Sequence, residues 1–124
     1  ITAMAYIEIF PKSAAAQAQL TECCDQLMDM LQSAVRSVFK VPEHDIIIEL
    51  DQCKVLAFNA SAVRAAAVPD VVIKVSTSDV ELRPEFQPLC DRIVSGCNAQ
   101  FGDSLGVEVW VSVIEAWGCN LSFD

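Results

Sequence analysis

The chain has 124 residues, of which 53% are hydrophobic, and its mean hydropathy is +0.39. A chain of this length forms one domain that buries only about two thirds of its surface as a monomer, so we expect part of the apolar excess at a subunit interface. The net charge is −9 and the eight basic residues are scattered, which argues against nucleic acid as a partner because phosphates need a basic patch.

Targeting and redox features point to a cytoplasmic protein. The chain start lacks the basic, apolar and small-residue regions of a signal peptide, and no apolar run reaches about 18 residues, so we expect no membrane insertion. The six cysteines show no CxxC spacing and most lie among apolar residues, which favours buried free thiols over disulfides or metal ligands. They are Cys23, Cys24, Cys53, Cys90, Cys97 and Cys119.

The first predicted unit is a strand, a helix and a second strand. Residues 6–10 predict a short apolar strand, and Ser13 can cap the helix that follows. This helix should end at Phe39, because Pro42 follows closely and the residue before a proline disfavours the helical region. Residues 46–50 form the second strand. The predicted buried face of the helix consists of Leu20, Cys23, Cys24, Leu27, Leu31, Ala34, Val35 and Val38.

The second predicted unit repeats this order. Residues 52–69 do not distinguish between a hairpin arm, a short helix and a loop, and a strand over residues 71–75 follows. Pro88 favours a helix start near that residue, with residues 79–87 irregular, and Gly102 should end the helix. Residues 107–113 form the last strand of this unit, and Leu121 and Phe123 alternate as in a short terminal strand.

The repeated pattern predicts the fold class. Two βαβ repeats, over about residues 4–51 and 70–115, should build an α/β (α+β) fold in a single domain of residues 1–124. The sheet would have four strands, with both helices on one face. No glycine-rich phosphate loop, no paired cysteine and histidine, and no carboxylate pair of defined spacing is present, so we expect no cofactor and no metal. The single histidine, His44, is more typical of a loop residue than of a ligand.

Three segments within this repeat resemble the tautomerase superfamily, which includes macrophage migration inhibitory factor and oxalocrotonate tautomerase. The segments are MAYIEIF, KVPEHDIIIEL and VEVWVSVIEAWGCNLSF. The resemblance implies a homotrimer around a central barrel, small pockets at the subunit boundaries, and parallel pairing of residues 6–10 with residues 46–50. A ferredoxin-like dimeric α/β-barrel binding protein is the alternative fold, and it would pair its strands antiparallel.

The residue that carries catalysis in this superfamily, an N-terminal proline, has no counterpart here. Met4 or Ala5 occupies its place, with Ile1, Thr2 and Ala3 before it, and an amide nitrogen in mid-chain has no usable lone pair. The resemblance therefore implies a protein without proline-dependent tautomerase activity. The alternative is an active keto-enol tautomerase in which processing frees the α-amino group of Ala5, whose ordinary pKa of about 7.7–8.0 suits a weak base.

Other residues are candidates for a pocket that binds a small anion, such as a carboxylate. Lys40 matches a lysine that contributes to anion binding in the superfamily, although a cation at a helix end also favours the helix dipole. Arg64 could hold a carboxylate, or it could be a surface arginine. Glu8 and Glu108 lie inside predicted strands, so each needs a solvent-exposed face or a polar partner. The full set of candidate ligand-binding residues is Met4, Glu8, Lys40, Arg64, Glu108 and Trp110.

Overall fold

The computed structural model describes residues 4–52 and 69–114. Predictions for Arg64, Cys53, Cys119 and the terminal strand at Leu121 and Phe123 lie outside these residues. In the described part the strands are β1 (Ala5–Pro11), β2 (Ile46–Leu50), β3 (Val71–Thr77) and β4 (Val107–Val113). The α-helices there are α1 (Ala14–Glu22), α2 (Cys24–Phe39) and α3 (Phe86–Phe101).

The four strands form one mixed sheet in the order β2-β1-β3-β4. β1 pairs with β2 in parallel, with Ala5 opposite Ile46, and β3 pairs with β4 in parallel. The two parallel pairs meet through antiparallel β1 and β3, where Glu8 lies opposite Lys74. This α+β sheet confirms the predicted fold class. The ferredoxin-like alternative is wrong, because it requires antiparallel pairing where β1 and β2 run parallel.

The core lies between one face of the sheet and the helices. Alternate residues of β1, from Ala5 to Pro11, are buried, whereas those between them are half-buried on the other face. The helices cover the first face with leucine and isoleucine side chains, which exclude water from both layers. Fully buried side chains from both layers include Ile7, Leu20, Leu31, Ile73, Leu89 and Ile93. We call the opposite face of the sheet the open face.

The predicted first helix is two helices, because the backbone leaves the helical region at Cys23 (φ −116°, ψ 25°). Side-chain donors near this residue compete with backbone N–H groups for backbone carbonyl acceptors. The Thr21 hydroxyl donates to the Gln17 carbonyl at 2.8 Å, and the Cys23 thiol donates to the Gln19 carbonyl at 3.1 Å. Such bonds to the preceding turn bend helices. The predicted start at Ser13 is observed, since its hydroxyl accepts from the Ala16 N–H at 3.0 Å.

The second long helix begins earlier than predicted. Residues 80–85 form a 3-10 helix, and α3 starts at Phe86 rather than near Pro88. Pro88 is tolerated there because the first-turn N–H groups of a helix have no intrahelical partner. The Phe86 ring packs against Phe39 of α2 at a centroid distance of 5.9 Å, which favours including Phe86 in the helix. Gly102, with φ 59°, ends α3 as predicted.

The cysteines of the described residues are free thiols, but their burial differs from the prediction. Cys97 is buried, Cys23 and Cys90 are half-buried, and Cys24 is exposed. The prediction of a buried thiol is wrong for Cys24, because the break at Cys23 turns the first residue of α2 away from the core. Burial raises the pKa of the Cys97 thiol to about 11, so this thiol is protonated at neutral pH.

Across residues 4–52 and 69–114, none of the helices combines the length and the apolar character that a membrane span requires.

Candidate functional site

Three of the predicted site residues lie at one end of the sheet. Because β1 and β2 are parallel, their first residues meet at this end, and Met4 and Ala5 therefore lie beside Ile46. β3 is antiparallel to β1, so its last residue, Thr77, pairs with Ala5 at the same end. α2 also ends there, at Phe39, and Lys40 follows. The topology thus brings the start of β1 and Lys40 to the same end of the sheet.

A groove of about 560 Å³ lies at this end, between the last turn of α2 and the 3-10 helix that follows β3. We call it the Lys40 groove. Its floor includes Phe39, which is buried, and Leu82, which is half-buried. Among the described residues, its charged lining consists of one ammonium group and three carboxylates, those of Lys40, Asp79, Glu81 and Glu85. A ligand anion would be attracted by the first and repelled by the other three.

Lys40 has an unusual backbone conformation for a residue with a side chain. Its φ of 60° and ψ of 28° place it in the left-handed region, at the C-cap of α2. Glycine is the usual residue there because it has no Cβ to clash. The loop beyond Lys40 is held by an ion pair between Arg36 and Glu43 at 3.6 Å, and by the Asp45 N–H, which donates to the Pro42 carbonyl at 2.9 Å. The backbone around Lys40 is therefore well determined by its neighbours.

Ala5, the first residue of β1, is buried rather than exposed. The Ala5 side chain is 0% exposed, whereas Met4 before it is 42% exposed. Thr77, opposite Ala5, is a buried polar residue, and its hydroxyl accepts from the Asp79 N–H at 3.2 Å. This hydrogen bond links the end of β3 to the 3-10 helix that forms one wall of the Lys40 groove. The sheet end therefore positions that wall relative to the first residue of β1.

Three other predicted site residues lie on the open face, away from the Lys40 groove. Glu8 of β1 is opposite Lys74 of β3, and Lys74 is in turn opposite Trp110 of β4. Trp110 is 60% exposed. Glu108 is also exposed and lies opposite Val72. The predicted site residues that the structure describes therefore divide between the sheet end and the open face, and they do not form one site.

The register of β1 and β2 brings together carboxylates that sequence reasoning did not connect. Glu8 lies opposite Glu49, and oxygens of Glu8, Glu49 and Asp51 all lie within 4.8 Å of one another. We call these three residues the acidic cluster. The Tyr6 side chain is hydrogen-bonded to Glu49. This bond, then burial, then the charges of the acidic cluster raise the pKa of Tyr6 to about 12. The available signal was one charged residue within each strand, Glu8 in β1 and Glu49 in β2, and only the register places these two side by side.

The lysine opposite Glu8 contacts an aromatic ring instead of the acidic cluster. The Lys74 ammonium lies 5.1 Å from the centroid of the Phe10 ring, and the Lys12 ammonium lies 5.5 Å from the same centroid. Both distances suit cation–π attraction. The open face therefore carries a negative region on β1 and β2 and a positive region around Phe10. Neither lysine was predicted as a site residue, because the convergence on Phe10 depends on the pairing of β1 with β3.

Comparison with solved structures identifies the fold. No protein-family model and no curated protein matches the sequence. MIF2 of Leishmania major is similar at a TM-score of 0.57 and 13% identity, over 97% of each chain. N1, a member of the cis-3-chloroacrylic acid dehalogenase family, is similar at 0.59 and 15% identity, over 88% of this chain and 74% of its own. A fused 4-OT symmetric trimer is similar at 0.52 and 19% identity, over 90% and 85%. The predicted resemblance is confirmed at the level of the fold, which is that of the tautomerase superfamily.

Proposed function

We propose that this protein is a tautomerase-fold homotrimer that binds a small carboxylate at a subunit interface and lacks proline-dependent tautomerase activity. One observation carries the proposal: the chain has this fold, and alanine stands at the first residue of β1. A proline with a free secondary amine would act there as base or nucleophile. The nitrogen of Ala5 is part of a peptide bond, and its lone pair is delocalised into the carbonyl.

Lys40 is the proposed anchor for the ligand carboxylate. Within the described part of the chain it supplies the single positive charge of the groove lining, at the same end of the sheet as Ala5. The three carboxylates of that lining oppose an anion, so the affinity should be weak. Each of these charges is near the surface, and added salt should weaken the attraction further.

Self-association is supported by the apolar surface of the open face. Trp110 is 60% exposed, Ile114 is 50% exposed and Ile47 is 42% exposed. Apolar surface of this kind is typical of interfaces. The described residues also leave β2 and β4 at the two edges of the sheet. The fused 4-OT structure of the same fold is a symmetric trimer. Light scattering should therefore return about three times 13.5 kDa, and a mass near 13.5 kDa would contradict the proposed interface. We propose a cytoplasmic location, in agreement with the free thiols of the four cysteines that the structure describes.

A set of matched variants tests the ligand site. Lys40→Ala should abolish the binding of a monocarboxylate such as phenylpyruvate, measured by calorimetry or by NMR shifts. Glu81→Gln should tighten the binding, because it removes one repelling charge from the groove. Lys12→Ala is the control, since it removes a lysine of the open face and leaves the groove unchanged. If Lys40→Ala and Lys12→Ala reduced the affinity for the carboxylate equally, the proposed site would be wrong.

A second candidate function is an active keto-enol tautomerase with a processed N-terminus. It is favoured by the position of Ala5, which is the first residue of β1. If processing made Ala5 the first residue of the protein, its primary amine would stand where the superfamily has its catalytic proline. An α-amino group of ordinary pKa is partly neutral at pH 7 and can accept a proton.

A further inference from the structure

Two neighbouring thiols lie at the break between the first two helices. Cys23 lies between the two helices, as the C-cap of α1 and the N-cap of α2, and Cys24 is the first residue of α2. Both are free thiols, and Cys24 is exposed. Neither cysteine belongs to the Lys40 groove or the acidic cluster, and the proposed function uses neither of them. Their α-carbons are about 3.8 Å apart, as in any trans peptide.

The break changes what adjacent thiols can do. In a continuous helix, consecutive side chains point about 100° apart and do not face each other. At Cys23 the backbone has left the helical region, with φ −116° and ψ 25°, so this restriction is relaxed. The Cys23 thiol donates to the Gln19 carbonyl at 3.1 Å, and the Cys24 thiol donates to the Asp25 carboxylate at 3.8 Å. The second contact is long and exposed, and Cys24 can rotate away from it at little cost.

The two neighbouring thiols also interact electrostatically. Burial is the main cause of the raised pKa of Cys23, and the neighbouring charge of Cys24 raises it further. Cys23 is therefore a neutral thiol at pH 7 and a weak nucleophile when it acts alone. A reagent that needs both sulfurs, and takes both protons away as it reacts, is better suited to this pair.

We propose that Cys23 and Cys24 form a two-thiol site for a soft thiophilic centre of the trivalent arsenic class. Soft thiolate ligands favour such centres over hard cations. With an organic arsenoxide, two As–S bonds form and the As=O bond breaks. The two thiol protons leave with that oxygen as one water molecule. Arsenic and sulfur keep their oxidation states, so the step needs no oxidant or reductant.

The probe is phenylarsine oxide, added to the reduced, full-length protein. We expect an adduct of one phenylarsenic group, seen by intact mass, that survives excess glutathione and is removed by 2,3-dimercaptopropanol. Loss of either thiol should weaken binding by about 100-fold or more, because the second bond then becomes intermolecular. Cys24→Ser and Cys23→Ser are the test variants, and Cys90→Ser is the control that should keep the adduct.

Each result of this experiment either supports the two-thiol site or overturns it. Cys24 is exposed, so Cys24→Ser should keep the native circular dichroism, and this variant decides the question if Cys23→Ser fails to fold. An adduct that glutathione strips from the unmodified protein would overturn the proposal. So would a glutathione-resistant adduct that persists in Cys24→Ser, because the arsenic would then be held by other cysteines.

Discussion

Tyr6 on β1 is hydrogen-bonded through its side chain to Glu49 on β2, on the face of the sheet that the helices leave open. This bond is the largest cause of the raised pKa of Tyr6, about 12 against an ordinary 10.0. Burial and the nearby charges of Glu49, Glu8 and Asp51 act in the same direction. The tyrosine thus reports directly on the register of β1 against β2.

Titration of Tyr6 is the first prediction. It is the only tyrosine in the chain, so tyrosinate absorbance follows it alone. The midpoint should lie near pH 12 in the native protein and near pH 10 in denaturant. Because the folded pKa is above the unfolded pKa, this group's stabilising contribution is complete below pH 10 and is lost as the pH rises through 12. Glu49→Ala should lower the native midpoint. A native midpoint near 10, with circular dichroism unchanged, would rule out the Tyr6 to Glu49 bond.

The second prediction concerns the backbone of Lys40. A side chain in the left-handed region costs about 1 to 2 kcal/mol, and glycine removes this cost while adding freedom to the unfolded chain. Lys40→Gly should therefore raise the free energy of unfolding by about 0.5 to 1 kcal/mol. Lys40→Ala keeps the Cβ and should leave it nearly unchanged. Denaturant unfolding of both variants measures the difference, and equal stabilities would mean that Lys40 is unstrained.

The third prediction concerns the contact between α2 and α3. A Cβ added to Gly96 would lie 2.7 Å from both Cγ and Sδ of Met30. In a Met30→Ala background, Gly96→Ala should stabilise α3 by about 0.5 to 1 kcal/mol, because alanine is a better helix former than glycine. With Met30 present, the clash should cancel or reverse this gain. A double-mutant cycle by thermal unfolding should show a coupling of about 1 kcal/mol, and additive effects would contradict the close approach.

The sequence predicted those helix ends that depend on nearby side chains or on local backbone preferences. The cap at Ser13 and the helix ends at Phe39 and Gly102 are observed, because each depends on a side chain or backbone preference within one turn. The helix break at Cys23 was missed, since the apolar spacing continues across it and only side-chain bonds to the backbone mark it. The early start of α3 was missed because the contact of Phe86 with Phe39 is tertiary.

The site was less predictable than the fold, because it depends on register and topology. Glu8 was a candidate, but its neighbours Glu49 and Asp51 follow only once β1 and β2 are aligned. Lys40 was a candidate from the resemblance, yet the acidic lining around it comes from residues about 40 positions later in the chain. Trp110 proved to be exposed on the open face rather than near Lys40.

Turnover of phenylpyruvate tests the central claim most directly. We expect the 124-residue chain to show no enol–keto conversion above the uncatalysed rate. A form that begins at Ala5 should gain activity, and Ala5→Pro in that form should gain more, with a pH dependence centred on the pKa of the new amine. A positioned base contributes about 100-fold or more, so the gain should be easily measured. Strong turnover by the 124-residue chain that is insensitive to Met4→Ala and Ala5→Gly would show that another residue is the base, and would contradict the account.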